Sequence, residues 1–261
     1  MTAPATVLGR RNPLATLAVL AIVSVVAFFV LDPGTALALY LLALIGVTVA
    51  GRLSAGQLGR AHLTFGSFGL GVLLVNAFTR PGRILIDAGF VRITDHGVGI
   101  GAALALRVLL IGVLSTAFAL RTDPIRLVTA LQQHVRLSPR FGYAVLAGHR
   151  MLAGLPSEWQ TLRAAQRVRA PLNRRGSPRS GLRSWSRAAF GLLVVTIRRG
   201  ERIADSLEAR GLGGRPRTIW RPVRFTGRDA CFVAFCLSVT ATVIAGSAWL
   251  GTLRGLGALF G

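Results

Sequence analysis

The fold class the sequence predicts is all-α: a polytopic membrane protein with about five transmembrane helices and a cytoplasmic pair of long helices. Three observations carry that expectation. Hydrophobic residues make up 52% of the 261 and charged residues 15%, where a soluble domain would carry about 25% charged. Mean hydropathy is accordingly high, at +0.57. The apolar residues are gathered into runs of membrane-spanning length, and the arginines lie almost entirely between those runs.

All 31 basic residues are Arg, lysine is absent, and the formal net charge is +22. Charge of that size invites a nucleic-acid reading, but the basic residues border apolar runs and lack interleaved aromatics. Cytoplasmic loops of membrane proteins accumulate positive charge on their own account, so no nucleic-acid partner is expected. Cys231 and Cys236 both fall in an apolar segment and read as packing residues.

In chain order, a basic lead ends at Arg10-Arg11-Asn12-Pro13, and Leu14–Leu31 follows without a charge. At 18 residues this run is near the lower limit for a spanning helix. It is long for a signal-peptide core and further spans follow, so a retained signal anchor is expected. Asp32-Pro33-Gly34 marks a turn, and Thr35–Ala50 is the second run. Residues 51–62 read as a polar loop, and Leu63–Phe78 as a third span whose Gly66, Gly69 and Gly71 permit close helix contact. Arg80–Gly97 is mixed and suggests a hairpin or interfacial piece. Val98–Leu120 is the fourth span, interrupted only by Arg107, and Ala230–Leu250 is the last.

The character changes between Arg121 and Arg228, which hold 22 of the 31 arginines against five acids. The domain division expected is therefore 1–120 for a four-span membrane region, 121–228 for a cytoplasmic or interfacial helical region, and 229–261 for the final span and tail. Within the middle region 125–137 looks helical, as does 139–170 with a break near Gly154-Leu155-Pro156. Pro171–Ser184 is a linker and Trp185–Gly211 a second long helix. The positive-inside bias puts the amino terminus and this basic region in the cytoplasm.

Catalytic constellations are missing. The four histidines are scattered, no metal ligand set or cofactor loop is present, and neither cofactor nor metal is expected. Glu201, Asp205 and Glu208 share a helix face, as acid–base catalysts would. Arginines beside them predict an ion-paired solvated face instead, with Arg198–Glu201 and Arg202–Asp205 spaced to pair. Arg107 is deep in a span, where a charge needs a partner or a wet cavity. The structural reading ties it to Asp32, Asp87 or Asp95; the functional reading gives it a contact on a neighbouring membrane protein.

The remaining chemistry lies at helix tips. Gly211 follows Ala209-Arg210, where a helix would end on a left-handed residue. That leaves Arg210 in the last turn, suited to the negative helix end and to an acidic pocket in a partner. Arg121-Thr122-Asp123-Pro124 follows the Arg107 span, Ala209-Arg210-Gly211 ends one long helix, and Arg217-Thr218 comes after it. In this ordered set the chain resembles the transmembrane T component of energy-coupling factor transporters, the CbiQ-like group of vitamin and metal-ion importers. Members carry two Ala-Arg-Gly motifs at the ends of two cytoplasmic coupling helices. The second is intact here; the first aligns with Val168-Arg169-Ala170, which keeps only the Arg.

The resemblance implies a multi-pass protein of a prokaryotic cell membrane that hydrolyses nothing itself. It implies that Arg169 and Arg210, with Ala209 and Gly211, seat two cytoplasmic ABC ATPase subunits. A substrate-binding S component would meet the apolar faces along 125–157 and 185–197, with membrane lipids around the spans. The competing expectation is a membrane-bound enzyme of lipid or isoprenoid metabolism, which would need clustered acids or a His-bearing set that the chain lacks.

Overall fold

The computed structural model describes residues 6–87, 92–170, 181–212, 214 and 222–251. They form two compact units, one of Met1–Leu127 with Arg224–Gly261 and the other of Val128–Val223.

The first unit is built from helices whose starts are written locally. After a single turn, α1 (Val7–Arg10), Asn12 caps α2 (Pro13–Phe28): its side-chain oxygen accepts from Leu14 N at 2.9 Å, and Pro13 takes the first helical position. Asp32 repeats the device for α3 (Pro33–Gly51), accepting from Thr35 N at 2.7 Å and from its hydroxyl at 2.8 Å. Ser54 and Gln57 form a reciprocal capping box at the head of α4 (Ala55–Thr79). The expected polar loop at 51–62 is thereby corrected: eight of those residues belong to α4, because the box starts the helix well before the apolar run begins.

An antiparallel hairpin, β1 (Ile84–Asp87) with β2 (Arg92–Thr94), then leads through the Thr94 cap into α5 (Asp95–Arg121). The unit closes with α9 (Gly227–Trp249). In its first turn Asp229 accepts from Thr226 N at 3.0 Å and, with its other oxygen, from Asn12 N at 3.1 Å.

Among the described residues four helices, α3, α4, α5 and α9, are long and apolar enough to cross a membrane. The fifth expected span, α2, is shorter. Phe29 N–H and Val30 N–H bond back only three residues, to Val26 O and Ala27 O, so the helix tightens and stops at Phe28. Sixteen residues rise about 24 Å, less than the ~30 Å hydrocarbon thickness.

The core of this unit lies where α2, α3 and α5 meet: Val19, Val23, Ala27, Leu39 and Leu110 are buried together, with Phe232, Val233 and Cys236 of α9 packed on them. A second cluster joins Val47 and Leu53 to Val113 and Ala117. α4 lies along α5 at close range. A Cβ added at Gly101 would sit 2.9 Å from Leu73 O, and one at Gly69 would meet the Ala105 backbone. Of the three glycines expected to allow this approach Gly69 does so most directly, Gly66 lies near Leu109, and Gly71 faces open space.

The second unit is a helical pair. It opens within α6 (Pro124–His134), where the two units divide at Val128. Ser138 caps α7 (Pro139–Arg169), and α8 (Leu182–Ala209) packs against it. Early residues of α7 meet late residues of α8, and late ones meet early ones: Glu158 with Arg199, Arg163 and Gln166 with Ser184. The pair is therefore antiparallel. The break expected near Pro156 does not occur, since α7 runs through it. Contacts with α8 on both sides of the proline, at Gly154 and Glu158 to Arg199 and at Leu162 to Gly191, hold the helix where local preference would interrupt it.

Candidate functional site

The two helix tips singled out by their arginines differ in how they end. At α8 the backbone closes in a Schellman arrangement. Gly211 takes φ +79° and its N–H reaches Glu208 O at 2.8 Å, while Leu212 N–H reaches Leu207 O at 2.9 Å. Leu212 is buried. Arg210 is the C-cap residue; it is exposed, and its guanidinium has no partner among the described residues. The result is a cation fixed by its backbone and left open at its head, at the end of the helix where the dipole favours positive charge. Ala209 is the last helical residue.

At α7 the arrangement is looser. Arg169 is itself the last helical residue, exposed like Arg210, and Ala170 leaves in an extended conformation at φ −80°, ψ 138°. A left-handed Ala would bring its Cβ against the backbone, so closing the same turn here would carry a strain that Gly does not. Replacing Gly by Ala thus changes the geometry of the tip, and not only its composition. Because the pair is antiparallel, the two C-terminal tips point in opposite directions. α8 alone is 28 residues, about 42 Å long.

The acids expected to pair along α8 do not. Glu201, Asp205 and Glu208 are exposed, and among the described residues neither Arg198–Glu201 nor Arg202–Asp205 is within ion-pair distance. In water the gain of such a pair hardly exceeds the rotamer freedom it removes. Arg199 instead reaches across to Glu158 on α7 at 2.9 Å. Sequence spacing within one helix carries no signal of that link.

Also unforeseen is a cleft of about 330 Å³ between α7 and α8, lined by Trp159, Gln160, Arg163, Ala164, Arg167 and Trp185. The two indoles meet edge to face, 5.5 Å between centroids. Arg163 lies over Trp159 at 5.9 Å and donates to Ser184 Oγ at 3.5 Å, and Ser184 in turn bonds the Gln166 amide. The Arg and Trp spacing on α7 repeats every four residues, which is the one hint available from the chain alone.

Arg107 sits in the first unit and in neither tip. Its Nη2 donates to Phe28 O at 3.0 Å and to Val30 O at 2.9 Å, and its charge lies over the Phe28 ring at 5.3 Å. The expected tie to an acid is corrected: Asp32 spends its carboxylate on the α3 cap, Asp95 is exposed at the start of α5, and the Asp87 side chain lies outside the described residues. A short α2 ends in carbonyls with no intrahelical donor, and those carbonyls are what the guanidinium meets. Arg217 and Thr218, and the linker around Ser177, also lie outside the described residues.

Four apolar helices of spanning length in one chain define a multi-pass membrane protein. Comparison with known sequences takes the assignment further: the family of CbiQ, cobalt transport protein, matches residues 4–220, and the chain belongs to that family. Its relatives include the energy-coupling factor transporter transmembrane protein EcfT of Listeria innocua, 30% identical over 173 residues, or 62% of this chain and 64% of that one. The EcfT protein of Heliobacterium modesticaldum is 27% identical over 228 residues, covering 81% and 86% of the two chains. An ABC transporter ATP-binding protein of Bifidobacterium longum is 26% identical over 181 residues, 66% of this chain and 23% of that one. The match spans just under two thirds of the Listeria relative's length.

Proposed function

We propose that the protein is the transmembrane coupling subunit of an energy-coupling factor type ABC importer. In this reading it hydrolyses nothing. It bridges two cytoplasmic ATPase subunits to a small substrate-binding membrane subunit, and passes ATP-driven motion to that subunit so that a vitamin or metal ion is released inside. The amino terminus and the α7–α8 pair face the cytoplasm.

The observation that carries the proposal is the antiparallel pair with an exposed arginine at each outward C-terminal tip, Arg169 on α7 and Arg210 on α8. One rod end per ATPase is what a symmetric two-motor engine needs. A planar guanidinium holds a carboxylate through two hydrogen bonds, which suits Arg to the task. Similarity to part of a chain named as an ATP-binding protein supports an ATPase as the working partner. The apolar side chains left exposed on the pair, Phe141, Val145 and Leu152 on α7 and Phe190, Leu193 and Ile197 on α8, give the substrate-binding subunit a surface to meet.

Co-purification of the membrane-extracted complex tests the assignment. Arg210→Glu is expected to abolish ATPase association while leaving membrane insertion intact. Undiminished association would overturn it.

A further inference from the structure

The cleft between α7 and α8 is not accounted for by rod-end docking. It is basic: Arg163 and Arg167 line it, no carboxylate does among the described residues, and Glu158, next to Trp159 in the chain, is held by Arg199. Arg167 and both indole N–H groups have no hydrogen-bond partner among the described residues. Two guanidinium groups and two indoles thus line one concave surface, and the chemistry that fits is a phosphate group. The adjoining helix ends say which kind. Val168 is 87% exposed and Leu182 85%, and Trp185 itself is 54% exposed. A soluble phosphate has no use for that apolar rim, whereas an amphiphile carries acyl chains to cover it. Tryptophan beside arginine is also the residue pairing that headgroup regions select.

We propose that this cleft binds the headgroup phosphate of an anionic phospholipid, with Arg163 and Arg167 on the phosphate and Trp159 and Trp185 against its glycerol and upper acyl carbons. The site is distinct from the tip arginines. It ties the helical pair to the charge of the surrounding bilayer, with Val168 on its rim adjoining the tip residue Arg169.

Tryptophan quenching tests this on the full chain. Trp220→Phe and Trp249→Phe leave Trp159 and Trp185 as the only reporters. The protein is reconstituted in phosphatidylcholine vesicles containing either brominated phosphatidylglycerol or brominated phosphatidylcholine at equal mole fraction. Stronger quenching by the brominated anionic lipid is expected, with that preference lost in the Arg163→Gln/Arg167→Gln double variant and reduced in Arg167→Gln. The Arg167 side chain makes no hydrogen bond or ion pair among the described residues, so the single variant keeps the test open if the double variant does not fold. Equal quenching by the two lipids would overturn the proposal. So would displacement of the anionic lipid by millimolar inorganic phosphate, which would assign the cleft to a free anion. Quenching abolished only when an ATPase subunit is added, with no lipid preference before, would assign it to a protein partner and overturn it equally.

Discussion

At the scale of single residues, the two tips part at the residue after each arginine, Gly211 at one and Ala170 at the other. Gly211 turns left-handed at φ +79° and closes the turn behind Arg210; Ala170 continues extended, and Arg169 is the last residue of its helix. A cation that is already positioned loses less freedom on binding than one that must be ordered. Arg169→Ala is therefore expected to weaken ATPase association less than Arg210→Ala, read as the fraction of ATPase retained on affinity-purified protein. Equal losses would reject the asymmetry. Gly211→Ala isolates the same point without touching charge. It forces a left-handed alanine at about 1–2 kcal/mol, and ATPase retention is expected to fall although Arg210 is intact. Retention unchanged from the parent would show that the cap does not position the guanidinium.

At the scale of elements, three arginines of α5 and α6 repeat one act. Arg107 donates to Phe28 O and Val30 O at the end of α2, Arg121 to Arg52 O at the end of α3, and Arg126 to Gly9 O and Arg11 O at the end of α1. Each closes carbonyls that a helix terminus leaves without donors. Arg107→Leu removes the clamp and strands two carbonyls in apolar surroundings. It is expected to cost about 1–3 kcal/mol, measured as a lowered midpoint of thermal unfolding in detergent, with ATPase association preserved in the folded fraction. An unchanged midpoint would mean that water or lipid replaces the guanidinium.

These clamps also mark where reading the chain alone ran out. Hydropathy located every long apolar helix to within a few residues except at α4, where a capping box lay outside the apolar run, and at α2, which stops short of Leu31. The Ala209-Arg210-Gly211 terminus was legible because a left-handed glycine after a helix is a local preference. The partner of Arg107 was not, because a carbonyl acceptor is common to every residue and leaves no trace in the side-chain sequence. For the same reason the Arg199–Glu158 bond and the tryptophan-lined cleft, which depend on residues of two different helices, were out of reach.

At the scale of the whole molecule, arginine is distributed unevenly: 22 of 31 lie between residues 121 and 228. The orientation proposed from this bias is checked by labelling. In Ser177→Cys with Cys231 and Cys236 replaced by Ser, a membrane-impermeant maleimide is expected to react in inverted vesicles and not in intact cells. Reaction from outside would overturn the topology.

The clamps have a consequence for biogenesis. A ribosome completes α1, α2 and α3 before it has made any of the arginines that close their ends, and Asp229, which grips Asn12 N, is translated later still. Until α5 and α6 are made, those terminal carbonyls have none of these side-chain donors. The Asn12 N–H gains its Asp229 partner only when α9 is made.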